Sequence, residues 1–339
     1  MNNSEEHLYC YPEYFSAPVE IIWELTGKCS CRCLYCGGDF PCIYDEDELS
    51  ADERRSLAKE FIDNKVFTVN LSGGEPFLCD QLYELAEMFI KAGIHTSINT
   101  AGFNADDEVL KKLCSLDGIA FIVSIDSNKE EINDRVRGRK GALSTALNLI
   151  SRIQEYSVGR SLIAVECVIS KINLEEIDNM IEFFSTKGIL QLRFQQVVIS
   201  GRAQKNRNDV SLDEGVLLHN LIEEKAQKYY ERCQADSSLC PMEIHFVDQS
   251  SMIRTGIKRG LNWGGIIGPT GRLKPSGYLD VTTDSYRNYG SFINLWNAGY
   301  KNVWKIPDIV ERFKDINNIW DICKVKESNL DRMTLTFKR

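Results

Sequence analysis

The stretch "LTGKCSCRCLYCGGD", Leu25 to Asp39, decides how the 339-residue chain is read, because it sets four cysteines within eight residues. It follows directly on "VEIIWELT" (19–26), whose β-branched and aromatic residues suit a strand. Behind it, helical and strand-like runs alternate. "SADERRSLAKEFIDN" is helical, with Ser50 as N-cap and Glu53 at the capping-box spacing. "VFTVNLS" (66–72) is the next strand, and "QLYELAEMFIKAG" is a helix that closes at Gly93. The same alternation runs through "IHTSINT", "ADDEVLKKLCSL", "IAFIVSID" (119–126), "GALSTALNLISRIQEY", "SLIAVECVIS", "LEEIDNMIEFFSTKG" and "LQLRFQQVVIS". Strict alternation implies an α/β fold, a parallel sheet with helical crossovers. Six such units over about 180 residues suit a partial (β/α)6 TIM-like barrel rather than a closed eight-unit one.

After "SGRAQKNRND" the alternation breaks. "SLDEGVLLHNLIEEKAQKYYERC" reads as one long helix, and beyond it come Gly, Trp, Tyr and turn signals such as "GPTGR" and "PSG". The expected division is an N-terminal arm at 1–18, a barrel at 19–205, and a smaller α+β extension at 206–339 made of a linker helix and a C-terminal domain. Net charge is −9, which argues against broad nucleic-acid binding. No apolar run reaches transmembrane length, and the acidic, aromatic N-terminus lacks the regions of a signal peptide. A cytoplasmic protein that binds neither nucleic acid nor membrane is expected. Twelve cysteines in that compartment need a reason other than a disulfide framework.

Cys29, Cys33 and Cys36 form C-x3-C-x2-C, with Cys31 as an extra thiol. A structural zinc site wants four ligands, usually in two pairs or with histidines nearby. No second C-x2-C and no H-x3-H exists, and His7, His95, His219 and His245 are scattered. Three soft thiolates suit a cubane iron–sulfur cluster, with one iron left open for a substrate or cofactor. The segment also follows the first strand of a β/α array, at the end where barrels carry their chemistry.

With Tyr35 in the aromatic place, the motif resembles the C-x3-C-x-aromatic-C signature of the radical S-adenosylmethionine (SAM) enzymes. "SGGEP" (72–76) is similar to that family's glycine-rich loop, and "SID" ends the fourth strand where the family has polar ribose-binding positions. The resemblance covers roughly residues 19–200 and implies one 4Fe–4S cluster on Cys29, Cys33 and Cys36, with SAM on the open iron. It further implies that Gly73, Gly74 and Glu75 hold the methionyl ammonium, that Ser124 and Asp126 hold ribose or carboxylate, and that Tyr35 lies near adenine. Asn99 in "NTAG" resembles a family position of less defined role. Arg137 is either a partner of the methionyl carboxylate or a solvated arginine. Cys31 has no place in the pattern and reads as a bystander.

The C-terminal part resembles a SPASM/twitch-type domain, which in peptide-modifying members binds auxiliary clusters. "GPTGRLKPSGYL" keeps that domain's hairpin but has Ser276 where a cysteine is usual. Either Cys233, Cys240 and Cys323 share one auxiliary site, or the domain is degenerate and cluster-free. The second reading is preferred, because the pattern's own ligand positions are not cysteine. Without an auxiliary cluster, redox-neutral outcomes gain weight, and a hydrogen-donor thiol is sought; Cys167 and Cys323 are candidates. The implied substrate is a ribosomal peptide or an amino-acid side chain within it. Small-molecule tailoring of a sugar or amino-acid derivative (epimerisation, dehydrogenation or rearrangement) and a non-catalytic iron–sulfur electron carrier are the alternatives. Expected partners are the substrate, an external one-electron reductant of flavodoxin or ferredoxin type, and a separate peptide-recognition protein.

Overall fold

The structure, a computed structural model, describes residues 13–41, 47–157, 159–213, 216–236, 239, 241–248, 250–318, 320–322 and 333–338. Six strands pair side by side, each parallel to the next: β1 (Glu20–Glu24), β2 (Thr68–Ser72), β3 (His95–Thr100), β4 (Ala120–Ser124), β5 (Leu162–Ile169) and β6 (Gln191–Gln196). Between them run α1 (Ala51–Asp63), α2 (Leu82–Lys91), α3 (Asp107–Cys114), α4 (Glu130–Arg137), α5 (Ala142–Ser157) and α6 (Ile177–Phe184). The capping box at α1 forms as its spacing requires. Glu53 N–H donates to the Ser50 hydroxyl at 3.3 Å, and Ser50 N–H donates to the Glu53 carboxylate at 2.7 Å.

Alternation along each strand sorts the side chains into two faces. Ile21, Trp23, Val69, Leu71, Ile98, Phe121, Val165 and Phe194 are fully buried in the main core. The opposite, inner face carries polar groups beside Ile22, Ile122 and Ala164. Asn70 donates to Ser97 Oγ and Asn99 Oδ1, both at 2.7 Å. Lys274 pairs with Glu24 at 3.1 Å, and Arg193 stands 3.7 Å from Glu166. Closed barrels fill this face with branched apolar residues; here hydrogen-bonded and charged groups share it with Ile22 and Ile122.

The partial (β/α)6 barrel forms as expected, and the sheet runs on beyond it. After β6 come two short helices, α7 (Arg202–Lys205) and α8 (Arg207–Val210), then α9 (Leu218–Ala235) and β7 (Glu243–Val247), which lies parallel on β6. The helix taken as a linker is therefore the crossover of a seventh unit, and it starts only at Leu218. The chain then forms α10 (Ser251–Arg259) and returns to the far edge, where β8 (Gly264–Ile267) lies parallel on β1. β9 (Leu273–Lys274) adds antiparallel to β8. The helices α7, α8 and α9 lie between two paired strands of one sheet, and local pattern cannot tell such a connection from a domain linker. The sheet reads β7-β6-β5-β4-β3-β2-β1-β8-β9, with β7 and β8 not bonded to each other.

A final layer holds β10 (Val281–Thr283), α11 (Phe292–Ala298), α12 (Pro307–Phe313) and β11 (Met333–Leu335). Its core of Val281, Val303, Trp304, Ile309 and Phe313 also takes in Val198 and Ile253, so it packs on the barrel without a break. Of the expected arm, Phe15 lies on the ring of Trp263, and its carbonyl accepts from Trp296 Nε1 at 2.9 Å. Among the described residues no helix is long and apolar enough to cross a membrane.

Candidate active site

The cysteine-rich stretch leaves the C-terminal end of β1 as a loop, which the ends of neighbouring units hold by its backbone. Gly74 N–H donates to Thr26 O and Glu75 N–H to Lys28 O, both at 2.8 Å. Arg32 and Leu34 N–H donate to Arg137 O and Val136 O at the end of α4, each at 2.9 Å, and Arg202 N–H donates to Cys36 O at 2.9 Å. Glycine is required at 74, because a Cβ there would collide with the Lys28 carbonyl. Gly138 (φ +58°) meets the Arg32 carbonyl in the same way. The glycine pair after β2 thus seats the cysteine loop first, and only then forms a cavity wall.

Cys29, Cys33 and Cys36 line one cavity, joined by Ser72, Gly73 and Gly74 after β2, Asn99 and Thr100 of β3, and Ser124 of β4. Tyr35, Arg137, Arg202 and, from the C-terminal part, Tyr278 complete the wall. Cys31 lines it too, although the residue is only 3% exposed. Its thiol hydrogen-bonds Cys29 and Cys33, which holds the Cys29 thiol down at about 6 and that of Cys33 at about 7, while the Cys31 proton is retained. Burial pushes Cys36 up. Among the described residues no three His, Cys, Asp or Glu side chains close round a single-ion point. Three soft donors spread round one cavity, two of them near ionisation at neutral pH, fit an iron–sulfur cluster.

The expected site residues separate into a wall and a layer behind it. Gly73, Gly74, Asn99, Ser124, Tyr35 and Arg137 are on the wall. Glu75 stands behind it, 2% exposed, accepting from Thr100 Oγ1 at 2.6 Å and from Ala101 N–H at 3.0 Å. Burial pushes its carboxyl up to about 8, so an arriving cation would meet a group that gains by ionising.

Asp126 is also behind the wall, and the expectation that it shares a ligand-facing side with Ser124 is corrected. It lies past the end of β4, where strand alternation stops. Its Oδ1 accepts the Val168 N–H at 2.9 Å, and its Oδ2 accepts from Tyr35 Oη at 2.8 Å and pairs with Arg137 Nε at 2.7 Å. Arg137 is not a solvated arginine. Its side chain is 8% exposed, lies over the Tyr35 ring at 5.6 Å, and brings Nη1 to 3.8 Å from Cys33 Sγ. Burial works against its charge, but Asp126, Tyr35 and Cys33 outweigh that and raise it well above the ordinary value.

Cys167 is corrected as a hydrogen donor. It is fully buried on the helix side of β5, where its thiol donates to Asp126 O at 3.5 Å and receives Asn173 Nδ2 at 3.7 Å. Cys323 and Cys240 lie outside the described residues. Ser276 is buried, and its hydroxyl accepts the Tyr278 N–H at 3.2 Å. Sequence reasoning missed Arg202 as a wall residue, since nothing local marks a residue that meets the cysteine loop from more than 160 positions away.

A family model for the radical SAM superfamily matches residues 23–184. The chain is 31% identical over 214 residues to an Fe-coproporphyrin III synthase of Methanosarcina barkeri, covering 62% of this chain and 52% of that protein. It is 26% identical over 302 residues to the mycofactocin maturase MftC of Mycolicibacterium smegmatis, covering 88% and 73%. Streptococcus suis SuiB bound to its precursor peptide SuiA shares the fold, with TM-score 0.59 and 14% identity over 77% of this chain and 60% of that one. The chain thus spans about half the length of the first of these relatives.

Proposed function

The chain belongs to the radical SAM superfamily, and from that premise we propose that it cleaves SAM reductively and abstracts a hydrogen atom from a ribosomal peptide or an amino-acid side chain within it. The observation that carries this is the convergence of Cys29, Cys33 and Cys36 on one cavity with the Gly73–Gly74 loop, Asn99, Ser124 and Arg137. When bound, a 4Fe–4S cluster and SAM supply one-electron cleavage of the sulfonium to methionine and a hydrogen-abstracting 5′-deoxyadenosyl radical. The chain's own part is to hold and to orient. Cys29, Cys33 and Cys36 would ligate iron, and Glu75, ionised on binding, would balance the methionyl ammonium with the help of the Gly73–Gly74 backbone. Asn99 and Ser124 offer hydrogen bonds to ribose or carboxylate. Arg137 supplies positive charge beside Cys33, and Asp126 keeps Arg137 and Tyr35 in register. An external one-electron reductant of flavodoxin or ferredoxin type would feed the site, and a separate protein could present the peptide.

A peptide is favoured as substrate by the inner face beneath the cavity. Asn70, Ser97, Asn99, Glu166 and Arg193 offer amide, hydroxyl and charged groups, which match a polypeptide better than a flat apolar ring. A tailored small molecule is the second reading, carried by the similarity to the coproporphyrin enzyme. Reduced, reconstituted protein incubated with SAM should release 5′-deoxyadenosine, and Cys33→Ala should release none. A wild-type protein that loads iron but leaves SAM intact is an electron carrier, and the proposal fails. With a precursor peptide encoded beside the gene, deuterium moving from labelled peptide into 5′-deoxyadenosine would identify the abstracted position.

A further inference from the structure

Arg202 comes from α7, beyond the stretch that the family motifs cover, yet its side chain reaches into the cysteine loop. Its Nη1 donates to Cys33 O at 3.1 Å, its Nη2 to Phe40 O at 3.0 Å, and its Nε to Asp39 Oδ1 at 2.9 Å. One planar fork therefore ties together the start and the end of the turn that carries Cys36. The side chain is only 14% exposed, so these bonds do not compete freely with water. Asp39 provides an independent sign that the turn is held. It adopts φ +47° without being glycine, a conformation that costs energy unless its surroundings fix it. Arg202 and Lys205, the latter 2.8 Å from Asp39 Oδ2, are what fix it. The guanidinium also forms part of the cavity wall beside the thiols.

We propose that Arg202 is a positioning residue of the cluster: it locks the Cys33–Phe40 turn before metal arrives, and it keeps a positive charge beside the bound cluster that eases its one-electron reduction. This rests on the radical SAM reading for its second half only. The lock is a property of the chain by itself. The charge argument has a definite sign, since adding an electron to an anionic thiolate-bound cluster is easier next to a cation. Lysine at this position would keep the charge but lose the three-way fork, so the two roles can be separated.

The test compares wild type, Arg202→Lys and Arg202→Gln as the full chain, first without metal and then reconstituted with iron and sulfide. Hydrogen exchange on the metal-free proteins should show amides 33–40 opening at least about tenfold faster in both variants, the loss of one charge-assisted hydrogen bond, with the rest of the barrel unchanged. In the reconstituted proteins, an EPR-monitored redox titration should place Arg202→Gln at a more negative potential than wild type, and Arg202→Lys close to wild type. Unchanged exchange in residues 33–40 overturns the lock, and equal potentials for wild type and Arg202→Gln overturn the charge role. Exchange that rises uniformly across the barrel would show a general fold contact and also overturn the inference. If wild type takes up no iron, the family reading fails instead, and the metal-free exchange still decides the lock.

Discussion

Glu75 shows what a single buried group can report. Its carboxyl is pushed up to about 8 from an ordinary 4.5, chiefly by burial and against the hydrogen bonds from Thr100 and Ala101. A carboxyl raised in the folded state stabilises the fold fully below about pH 4.5, and that stability is lost as pH rises through about 8. The metal-free protein should therefore lose stability across this window, by at most about 1.4 kcal/mol per pH unit from this group. Glu75→Gln should flatten the slope, as thermal melts at a series of pH values would show. Gly74→Ala should cost at least about 2 kcal/mol and impair iron uptake together, because the added Cβ displaces the Lys28 carbonyl just before Cys29. Iron analysis beside a melt checks both effects. Cys29, Cys33 and Cys36 were legible as cavity residues because four thiols in eight residues have few uses. Asp126 was paired with Ser124 on one ligand, but β4 ends at Ser124, and the turn beyond it points the Asp126 carboxylate at Tyr35 and Arg137.

Among the elements, the first helix was the most legible, since its start signal is wholly local. Glu53 does double duty there. It closes the capping box and also receives Arg287 Nε at 2.6 Å and Nη2 at 2.8 Å, so its carboxyl is held at about 2. Ser50→Ala should cost about 1 kcal/mol, as for other N-caps, and leave iron content unchanged. Chemical denaturation of the two proteins measures it. The seventh and eighth parallel strands were illegible for the opposite reason. β7 follows its partner β6 across 46 intervening residues, and β8 pairs with β1 from the far end of the chain. Such pairings leave no periodic trace between the partners. The polarity of the inner face was visible residue by residue, in Asn70, Asn99, Glu166 and Arg193, but only the register of β2 to β6 shows that these side chains share one face.

For the molecule as a whole, the composition of the C-terminal layer sets a stoichiometry. Ser276 occupies the position where the resembling domains carry a cysteine, and Cys233 is not on the cavity wall. Reconstituted protein should hold about four irons per chain, as one cubane requires, and a count near eight by iron and sulfide assay would contradict this. Another consequence follows from how the cysteine loop is seated. Its backbone is bonded to residues 74 and 75 after β2, to the end of α4, and to Arg202 after β6. Three separate units of the barrel thus converge on one short loop. Metal bound there would act as a keystone for distant parts of the sheet, so its binding energy is shared with the whole fold rather than spent on a loop. Loading and unloading the cluster would then move the melting of the entire barrel as one transition, and a chelator would lower that transition without abolishing the fold.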